Sequence, residues 1–385
     1  MRRIYLDHAA TTPLDARVRE AMRPFFEQTF GNASSVHREG QEARAALERS
    51  RAAIARVMGA QPGELVFTSG GTESDNLAIS GVFRALRKKG RTQIVTSAAE
   101  HHAVLDCVEA LRADGAEVTV LPADGSGRVA PDAVAAAVSD RTCLVTVMHA
   151  NNEVGTMTDI PAIAAVVHRH GALLHTDAVQ SFGKVALLVR ELGADLMSVS
   201  AHKLYGPKGI GALYIRSGTV LEALFHGGGQ ERGRRPGTEN VALAAGFALA
   251  AELSLENMER EGARLRALRD SLEAKLRSRF PDLLVNGDVR ERLPHILNVS
   301  LALPPFAAGG ETLVLSMDLE GIAVSSGSAC TSGSVQPSHV LLAMGRDRAA
   351  AKASLRFSFG RANREEDVDD VLAALGRIAG RMHAS

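Results

Sequence analysis

Short apolar runs alternate with helical patterns through the first 215 residues, and this alternation constrains the fold more than any other feature. A regular strand–helix alternation favours a mostly parallel sheet that is covered by helices on both faces. The predicted strands cover residues 65–68, 93–97, 117–121, 143–148, 172–176, 196–200 and 209–215. The predicted helices cover residues 73–89, 103–113, 131–138 and 160–170. In such sheets, ligands bind beyond the carboxyl ends of the strands.

The pattern changes after about residue 257. Leucines at positions 265, 268, 272 and 276 line one face of a long helix, which Pro281 ends. Predicted strands at 296–301, 323–325 and 355–359 and a helix at 365–381 follow. We therefore predict an α/β protein with a large domain at 14–257. Residues 1–13 and 258–385 would form a smaller α+β domain.

Composition excludes several classes of protein. Lys plus Arg and Asp plus Glu both count 44, which does not favour binding to nucleic acids or to anionic membranes. The chain has no signal-peptide pattern, and its longest apolar stretch, 241–255, is too short to span a bilayer. The cysteines at 107, 143 and 330 lie far apart and form no CxxC pair, which fits a reducing compartment. We expect a cytoplasmic protein without a resident metal.

Two polar segments follow the first predicted strands. Gly71 and Thr72 lie between a strand and a helix, where backbone amides and a helix N-terminus can hold a phosphate. An ordinary capped turn is the alternative. Neither GxGxxG nor GKS/T is present there, so the segment does not favour dinucleotides or nucleoside triphosphates. His101 follows the next strand and could stack on a flat cofactor, although a capping or core histidine is the plainer interpretation.

Two further strand ends carry groups suited to a pyridine ring. Asp177 ends a predicted strand, and a carboxylate there needs a partner such as a protonated pyridine nitrogen. Gln180 could bond a phenolic oxygen. Asn152 offers an amide for a cofactor oxygen or a substrate carboxylate. A helix cap at Asp177 and a plain turn at Asn152 are the alternatives.

Lys203 follows the strand at 196–200, in the segment SAHK. A lysine just past a buried strand is poorly hydrated, which favours the neutral amine that a Schiff base requires. The plainer interpretation is a solvated surface lysine. Four features together point to pyridoxal 5′-phosphate. They are a segment that could hold a phosphate, a histidine that could stack on a ring, an aspartate that could pair with a pyridine nitrogen, and this lysine. A serine hydrolase is not favoured, because the chain has no GxSxG.

Three segments remain. Cys330 lies in the Gly/Ser-rich segment 325–334, where a thiol suits a nucleophile that receives and carries a group; an incidental cysteine is the alternative. Arg356, in a predicted strand, is the candidate for a substrate carboxylate, with a structural ion pair as the alternative. The basic, glycine-rich loop 227–240 could close over an anionic cofactor, including one held by a neighbouring subunit.

Nearly the whole chain resembles the cysteine desulfurases of the NifS/IscS type, pyridoxal-phosphate enzymes of the class V aminotransferase family. The most specific match is SSGSACTS at 325–332, which is typical of the branch with a long cysteine loop. The other matching segments are YLDHAATTP at 5–13, FGN at 30–32, FTSGGTESDNL at 67–77, EH at 100–101, NNEVG at 151–155, DAVQ at 177–180, SAHK at 200–203 and GRRPGTEN at 233–240.

The resemblance implies a fold and a set of roles. The fold would be aminotransferase-like, with a mostly parallel seven-stranded sheet in the large domain. Lys203 would form the Schiff base, and Cys330 would accept sulfur from L-cysteine, leaving alanine and a persulfide. The other implied positions are Gly71, Thr72, Ser200 and His202 on the phosphate, Thr238 on the phosphate of a second subunit's cofactor, His101, Asp177 and Gln180 on the ring, and Asn152, Arg356 and Asn32 around the substrate.

The resemblance also implies partners. Thr238 would require a homodimer, and the persulfide would pass to an acceptor such as an iron–sulfur scaffold protein. A transient role of Cys330 as a cluster ligand stays open. Pro236 stands where a smaller residue is expected, and the chain stops soon after its last predicted helix, which puts scaffold docking through a longer tail in doubt. A class V aminotransferase or selenocysteine lyase that does not use Cys330, and a non-enzymatic sulfur carrier, are the alternative functions.

Overall fold

The computed structural model describes residues 2–301, 306, 312–326 and 336–384. The strands within these ranges are β1 Ile4–Tyr5, β2 Leu65–Thr68, β3 Gln93–Ser97, β4 Glu117–Leu121, β5 Thr142–Thr146, β6 Leu173–Asp177, β7 Leu196–Ser200, β8 Gly211–Ile215, β9 Leu284–Asn286, β10 Ile296–Ser300, β11 Ile322–Ala323 and β12 Ser354–Ser358. The helices are α1 Ala16–Met22, α2 Pro24–Glu27, α3 Arg38–Met58, α4 Gly71–Arg87, α5 His102–Arg112, α6 Pro131–Ala137, α7 Ile160–Arg169, α8 Val189–Leu192, α9 Val241–Arg279, α10 Leu313–Leu319, α11 His339–Ala343, α12 Arg348–Lys352 and α13 Glu365–Ala384.

The main sheet has seven strands in the order β2-β8-β7-β6-β5-β3-β4. Only β8 runs antiparallel to its neighbours β2 and β7, so the carboxyl ends of the other six strands meet at one edge. Separate apolar clusters pack on the two faces of the sheet, as expected for a layered α/β protein. The predicted fold class is therefore confirmed. The predicted ends of β5 and β6 and the predicted start of β8 differ from the observed ones by one or two residues.

A second, smaller sheet is antiparallel in the order β12-β10-β9. Beside it, β1 pairs in parallel with β11, and Asp7 bridges to Ser358 at the end of β12. The N-terminal residues thus pack against the C-terminal part of the chain, as the sequence suggested. They share an apolar cluster with α9, α13 and the small sheet.

Helix α9 is 39 residues long and continuous through residue 257. Its first part, including Phe247, packs in the core beside the main sheet, whereas Leu268, Leu272 and Leu276 belong to the cluster of the small sheet. By length and composition α9 could cross a membrane, but 56% of its apolar window is buried in the protein, as in the core helix of a globular protein. The domain division near residue 257 stays a prediction.

A buried ion pair fastens α3 to the loop that precedes α9. Nη1 and Nη2 of Arg51 each donate to a carboxylate oxygen of Glu231 at 2.7 Å. The backbone N–H of Phe67 in β2 also donates to Glu231, at 2.9 Å. Both side chains are almost fully buried, so each charge depends on the other.

We expect Glu231→Gln to lower the free energy of unfolding by about 3–5 kcal/mol, because the guanidinium of Arg51 would stay buried without its counterion. Urea denaturation of the wild type and the variant measures this loss. The matched control is Glu42→Gln, which breaks the exposed pair of Arg38 and Glu42 and should change the midpoint far less. If the two substitutions lowered the free energy of unfolding equally, the prediction that the buried pair depends more strongly on both partners would be wrong.

Candidate active site

An open cavity of about 1070 Å³ lies at the carboxyl edge of the main sheet. It brings together ten of the thirteen site residues that the sequence predicted, from segments following five different strands and from β12 itself. These ten are Gly71, Thr72, His101, Asn152, Asp177, Gln180, Ser200, His202, Lys203 and Arg356. This is the edge at which parallel α/β sheets bind their ligands.

Lys203 follows β7 in a short 3-10 turn, and its amine points toward the N-terminal segment. The Nζ atom donates to the backbone oxygens of Ala9 at 2.6 Å and of Ala10 at 2.8 Å. Burial lowers the pKa of this amine to about 8, and the positive charge of Arg356 adds to the effect, while Asp177 and Asp7 oppose it. A large fraction of the amine is therefore neutral, and so nucleophilic, in mildly alkaline solution.

Asp177 is the last residue of β6 and is buried. Burial raises the pKa of its carboxyl, whereas the N–H of Val179, which donates to Oδ1 at 2.8 Å, and the positive charges of His101 and Lys203 lower it. His101 caps α5 through Nδ1, which accepts from the N–H of Ala103 at 3.1 Å. Burial of the His101 ring lowers its pKa. The capping role is thus real, but it leaves the ring lining the cavity.

The opposite end of the cavity is suited to an anion. Helix α4 begins at Gly71 without a side-chain cap, because the preceding residue, Gly70, has no side chain that could accept a hydrogen bond. A β-carbon at Gly71 would lie 2.8 Å from the side chain of Val179, so a larger residue does not fit without movement. Ser200 and His202 line the same end. Burial lowers the pKa of His202 to about 4, and its Nδ1 lies 3.1 Å from the hydroxyl of Thr11.

Arg356 projects from β12 and is buried at the cavity wall. Its Nη1 donates to the backbone oxygen of Asn152 at 2.8 Å, and its Nη2 donates to Oδ1 of Asp7 at 2.8 Å. The structural ion pair considered from the sequence therefore exists. It leaves Nε of Arg356 without a hydrogen-bond partner among the described residues, so the guanidinium retains a donor for a ligand.

Three predicted residues do not join the cavity in the described chain. Thr238 is exposed and lines a different pocket, between β2 and the loop before α9. Asn32 is exposed, and its Oδ1 accepts from the N–H of Ser34 at 2.8 Å. Cys330 lies outside the described residues. The last positions before that gap are adjacent to the site: Ser325 lines the cavity, and its backbone pairs with that of Arg356.

Sequence reasoning missed several groups of the site. The carbonyls of Ala9 and Ala10 that receive Lys203, the carboxylate of Asp7 beside Arg356, and the buried carboxyl of Asp75 had no assigned role. The first three lie in the segment YLDHAATTP, and Asp75 lies in FTSGGTESDNL. The only available signal was therefore the resemblance of these segments, which does not show what each position contacts.

Comparisons with known proteins agree with this geometry. Residues 4–371 match the model of the family described as aminotransferase class-V. A protein of Dictyoglomus turgidum named cysteine desulfurase IscS is 47% identical over 381 residues, which is 99% of this chain and 95% of that protein. A cysteine desulfurase of Gluconacetobacter diazotrophicus is 47% identical over 384 residues, covering 99% of this chain and 94% of that one.

Solved structures give the same result. A structure titled NIFS-like protein superposes with a TM-score of 0.90 at 36% identity and covers 100% of both chains. A structure of SspA in complex with cysteine has a TM-score of 0.81 at 35% identity, covering 92% of this chain and 98% of that one.

The fold and the cavity are those of a pyridoxal-phosphate enzyme of the aminotransferase type. The chain belongs to the class V aminotransferase family and, within it, to the cysteine desulfurases of the NifS/IscS type.

The residues of the cavity fit this cofactor. Buried polar atoms that line it lack partners among the described residues, and such atoms are costly unless a ligand or water satisfies them. These atoms are Oδ1 of Asp75, Oδ1 of Asn152, Oε1 of Gln180, Oγ of Ser200 and Nε of Arg356. With the uncapped start of α4, they provide donors and acceptors for the phosphate, the ring and a bound substrate.

The pKa of Lys203 leads to a prediction for cofactor loading. We expect the rate at which cofactor-free protein forms its coloured complex with pyridoxal phosphate to reach half its maximum near pH 8, because only the neutral amine attacks the aldehyde. Stopped-flow absorbance across the pH range measures this midpoint. A midpoint near the ordinary lysine value of 10.5 would contradict the prediction.

Two variants control this experiment. Arg356→Gln removes a positive charge that lowers the pKa of Lys203, so the midpoint should move to higher pH. Lys203→Ala removes the reacting amine, and any remaining colour change then comes from other amines of the protein.

Proposed function

We propose that this protein removes sulfur from L-cysteine, giving L-alanine and a persulfide on Cys330. The observation that carries the proposal is the position of Lys203, whose half-buried amine, with its lowered pKa, lies in one cavity with Asp177 and His101. The full-length similarity to proteins named cysteine desulfurase selects this reaction from those of the class V family.

Binding of L-cysteine can be derived from the polar wall of the cavity. Arg356 and Asn152 both line the cavity, and Nε of Arg356 and Oδ1 of Asn152 have no hydrogen-bond partner among the described residues, so these two side chains are our candidates to bind the amino-acid carboxylate. The carboxylate of Asp7 and the backbone oxygen of Asn152 accept hydrogen bonds from the two terminal nitrogens of the guanidinium. These bonds fix its orientation before the substrate binds. In this proposal Asn32 also binds the substrate, although it belongs to a segment that does not line the cavity.

The cofactor, held through Lys203, supplies an electron sink for the bonds around the substrate Cα. Asp177, His101 and Gln180 line the cavity and would hold the ring: Asp177 would provide the negative charge that a protonated ring nitrogen needs, His101 would stack on the ring, and Gln180 would bond its phenolic oxygen. Gly71, Thr72, Ser200 and His202, at the end of the cavity suited to an anion, would hold the phosphate. The amine of Lys203, when it is not joined to the cofactor, would take the Cα proton and later return a proton to Cα of the product, a role that suits a pKa of about 8.

Sulfur transfer requires a thiolate at Cys330. The Cys330 thiolate attacks the substrate Sγ, a sulfur–sulfur bond forms, and the bonding pair of the Cβ–S bond stays with the substrate carbon, which takes up a proton to become the methyl group of alanine. The imidazole of His101, with its lowered pKa, is available as the base that removes the thiol proton. The step needs no external oxidant or reductant.

Assembly and partners extend the proposal. The exposed position of Thr238, away from its own cavity, supports a homodimer in which Thr238 reaches the phosphate site of the second subunit. The persulfide would pass to an acceptor such as an iron–sulfur scaffold protein in the cytoplasm. The free, buried thiols of Cys107 and Cys143 are compatible with a reducing compartment.

The decisive experiment compares alanine release from L-cysteine, with a reductant present, in the wild type, Cys330→Ala and Lys203→Ala. We expect both variants to lose at least about 100-fold in rate, because each removes a reacting nucleophile. Wild-type activity in Cys330→Ala would point instead to a lyase or aminotransferase that does not use this thiol. Substantial turnover without Lys203 would contradict the proposed scheme altogether.

The other two cysteines provide matched controls. Burial raises the pKa of Cys107, and it raises that of Cys143 to about 12, so neither thiol is a ready nucleophile. We expect Cys107→Ala and Cys143→Ala to keep most of the wild-type activity per folded molecule. Mass spectrometry after one turnover should find the added sulfur on the peptide with Cys330 and not on the peptides with the other two.

A further inference from the structure

A second carboxyl lies in the cavity beside Asp177. Asp75 is in the second turn of α4, is only 1% exposed, and lines the same cavity as Asp177. Its Oδ1 has no hydrogen-bond partner among the described residues. An unpaired buried carboxylate is costly, so the state of this group needs an explanation.

The charges around Asp75 oppose its ionisation. The titratable groups that oppose its ionisation are two carboxyls, Asp177 at the end of β6 and Glu100 in the loop after β3, and both raise the pKa of Asp75. Nε2 of His175 lies 3.6 Å from its Oδ1, but burial lowers the pKa of His175 to about 3, so the imidazole is neutral. Among the described residues, no lysine or arginine forms an ion pair with Asp75.

Asp177 differs from Asp75 in this respect. It receives the N–H of Val179, and its neighbours Lys203 and His101 both lower its pKa, which favours the ionised form. When two neighbouring carboxyls share a buried site, one tends to keep its proton, and the group with donors and cations around it carries the charge.

A chain of hydrogen bonds runs behind Asp75 into the sheet. Ser198 of β7 lies next to the Asp75 carboxyl, where a hydrogen bond donated by its hydroxyl lowers the pKa of Asp75 against the larger effect of burial, and its Oγ lies 2.9 Å from Nε2 of His175. Nδ1 of His175 lies 2.8 Å from the hydroxyl of Thr146 in β5. The hydrogen bonds of this chain can all be donated in one direction or all in the other. A protonated Asp75 donates to Ser198, Ser198 donates to Nε2, and Nδ1–H donates to Thr146; an ionised Asp75 would reverse every bond.

We infer that Asp75 is a neutral carboxylic acid and a positioning residue for the ring-nitrogen subsite. Its proton is held by Ser198, His175 and Thr146, so that Asp177 alone carries the negative charge there. This inference rests on the proposed binding of pyridoxal phosphate in the cavity. It assigns His175 the tautomer with its proton on Nδ1.

This arrangement has a consequence for the reaction. A second anion under the ring would strengthen proton binding at the nitrogen that joins the cofactor to Lys203 and would repel the carboxylate of the substrate. A neutral acid fills the same space, donates a hydrogen bond and adds no charge. The ring-nitrogen subsite can then balance one pyridinium with one carboxylate.

Asp75→Asn tests the inference because asparagine is neutral, has nearly the same shape and can also donate to Ser198. The measurement is the pH titration of the bound cofactor's absorbance, which follows proton loss from the nitrogen joined to Lys203. We expect the midpoint to equal that of the wild type. If Asp75 were ionised, the substitution would remove a nearby negative charge and lower the midpoint by about one pH unit or more, which would overturn the inference.

Infrared spectroscopy gives an independent readout that also applies if Asp75→Asn does not fold. The double variant Glu100→Gln/Glu153→Gln removes two other carboxyls whose pKa burial raises. The stretching band of a protonated carboxyl should persist in this variant and move when Ser198→Ala is added, because the acid loses its acceptor. Absence of the band at neutral pH overturns the inference.

The two proposals fail in different ways. A protein that forms no coloured complex, or that forms one but releases no alanine from L-cysteine, contradicts the proposed function. In that case the infrared band still decides the state of Asp75. A coloured, active protein whose titration midpoint falls in Asp75→Asn keeps the proposed function and loses only the inference on Asp75.

Discussion

The removal of the Lys203 amine from water is the constraint on which the rest of the site depends. An ammonium group at the edge of a buried sheet has lost most of its hydration, so the protein must either replace that hydration or accept a lowered pKa. Here it does both. Two backbone carbonyls receive the amine at 2.6 and 2.8 Å, and the pKa still falls to about 8. The same burial that is costly for a charged lysine therefore prepares a nucleophile.

The two carbonyls belong to a segment that is far from Lys203 in the sequence. Residues 7–12 connect β1, which pairs with β11, to the floor of the cavity. Asp7 in this segment also holds Arg356 from the small sheet. One stretch of backbone thus fixes the amine and the guanidinium relative to each other, although they come from opposite ends of the chain. Such a connection keeps a reacting group and a binding group at a fixed distance and orientation.

The sequence predicted the parts of the site that follow from strand order. Asp177 and Lys203 each end or follow a recognisable apolar run, and a parallel sheet brings such ends together whatever the intervening loops do. It could not predict the carbonyls of Ala9 and Ala10, because a backbone acceptor can come from any residue type. The sequence also left two interpretations for Arg356, and the structure contains the ion pair while leaving one donor free.

Charge balance links the inferred state of Asp75 to the rest of the cavity. Arg356 is paired with Asp7, and Lys203 is held by neutral carbonyls, which leaves Asp177 as the negative group for a ring nitrogen. At the other end, an uncapped helix start and neutral His202 receive an anion through dipoles instead of a lysine or arginine. If Asp75 were ionised, its charge would have no counterpart in this arrangement. A single proton on Asp75, held by three side chains that do not line the cavity, balances the charges of the site.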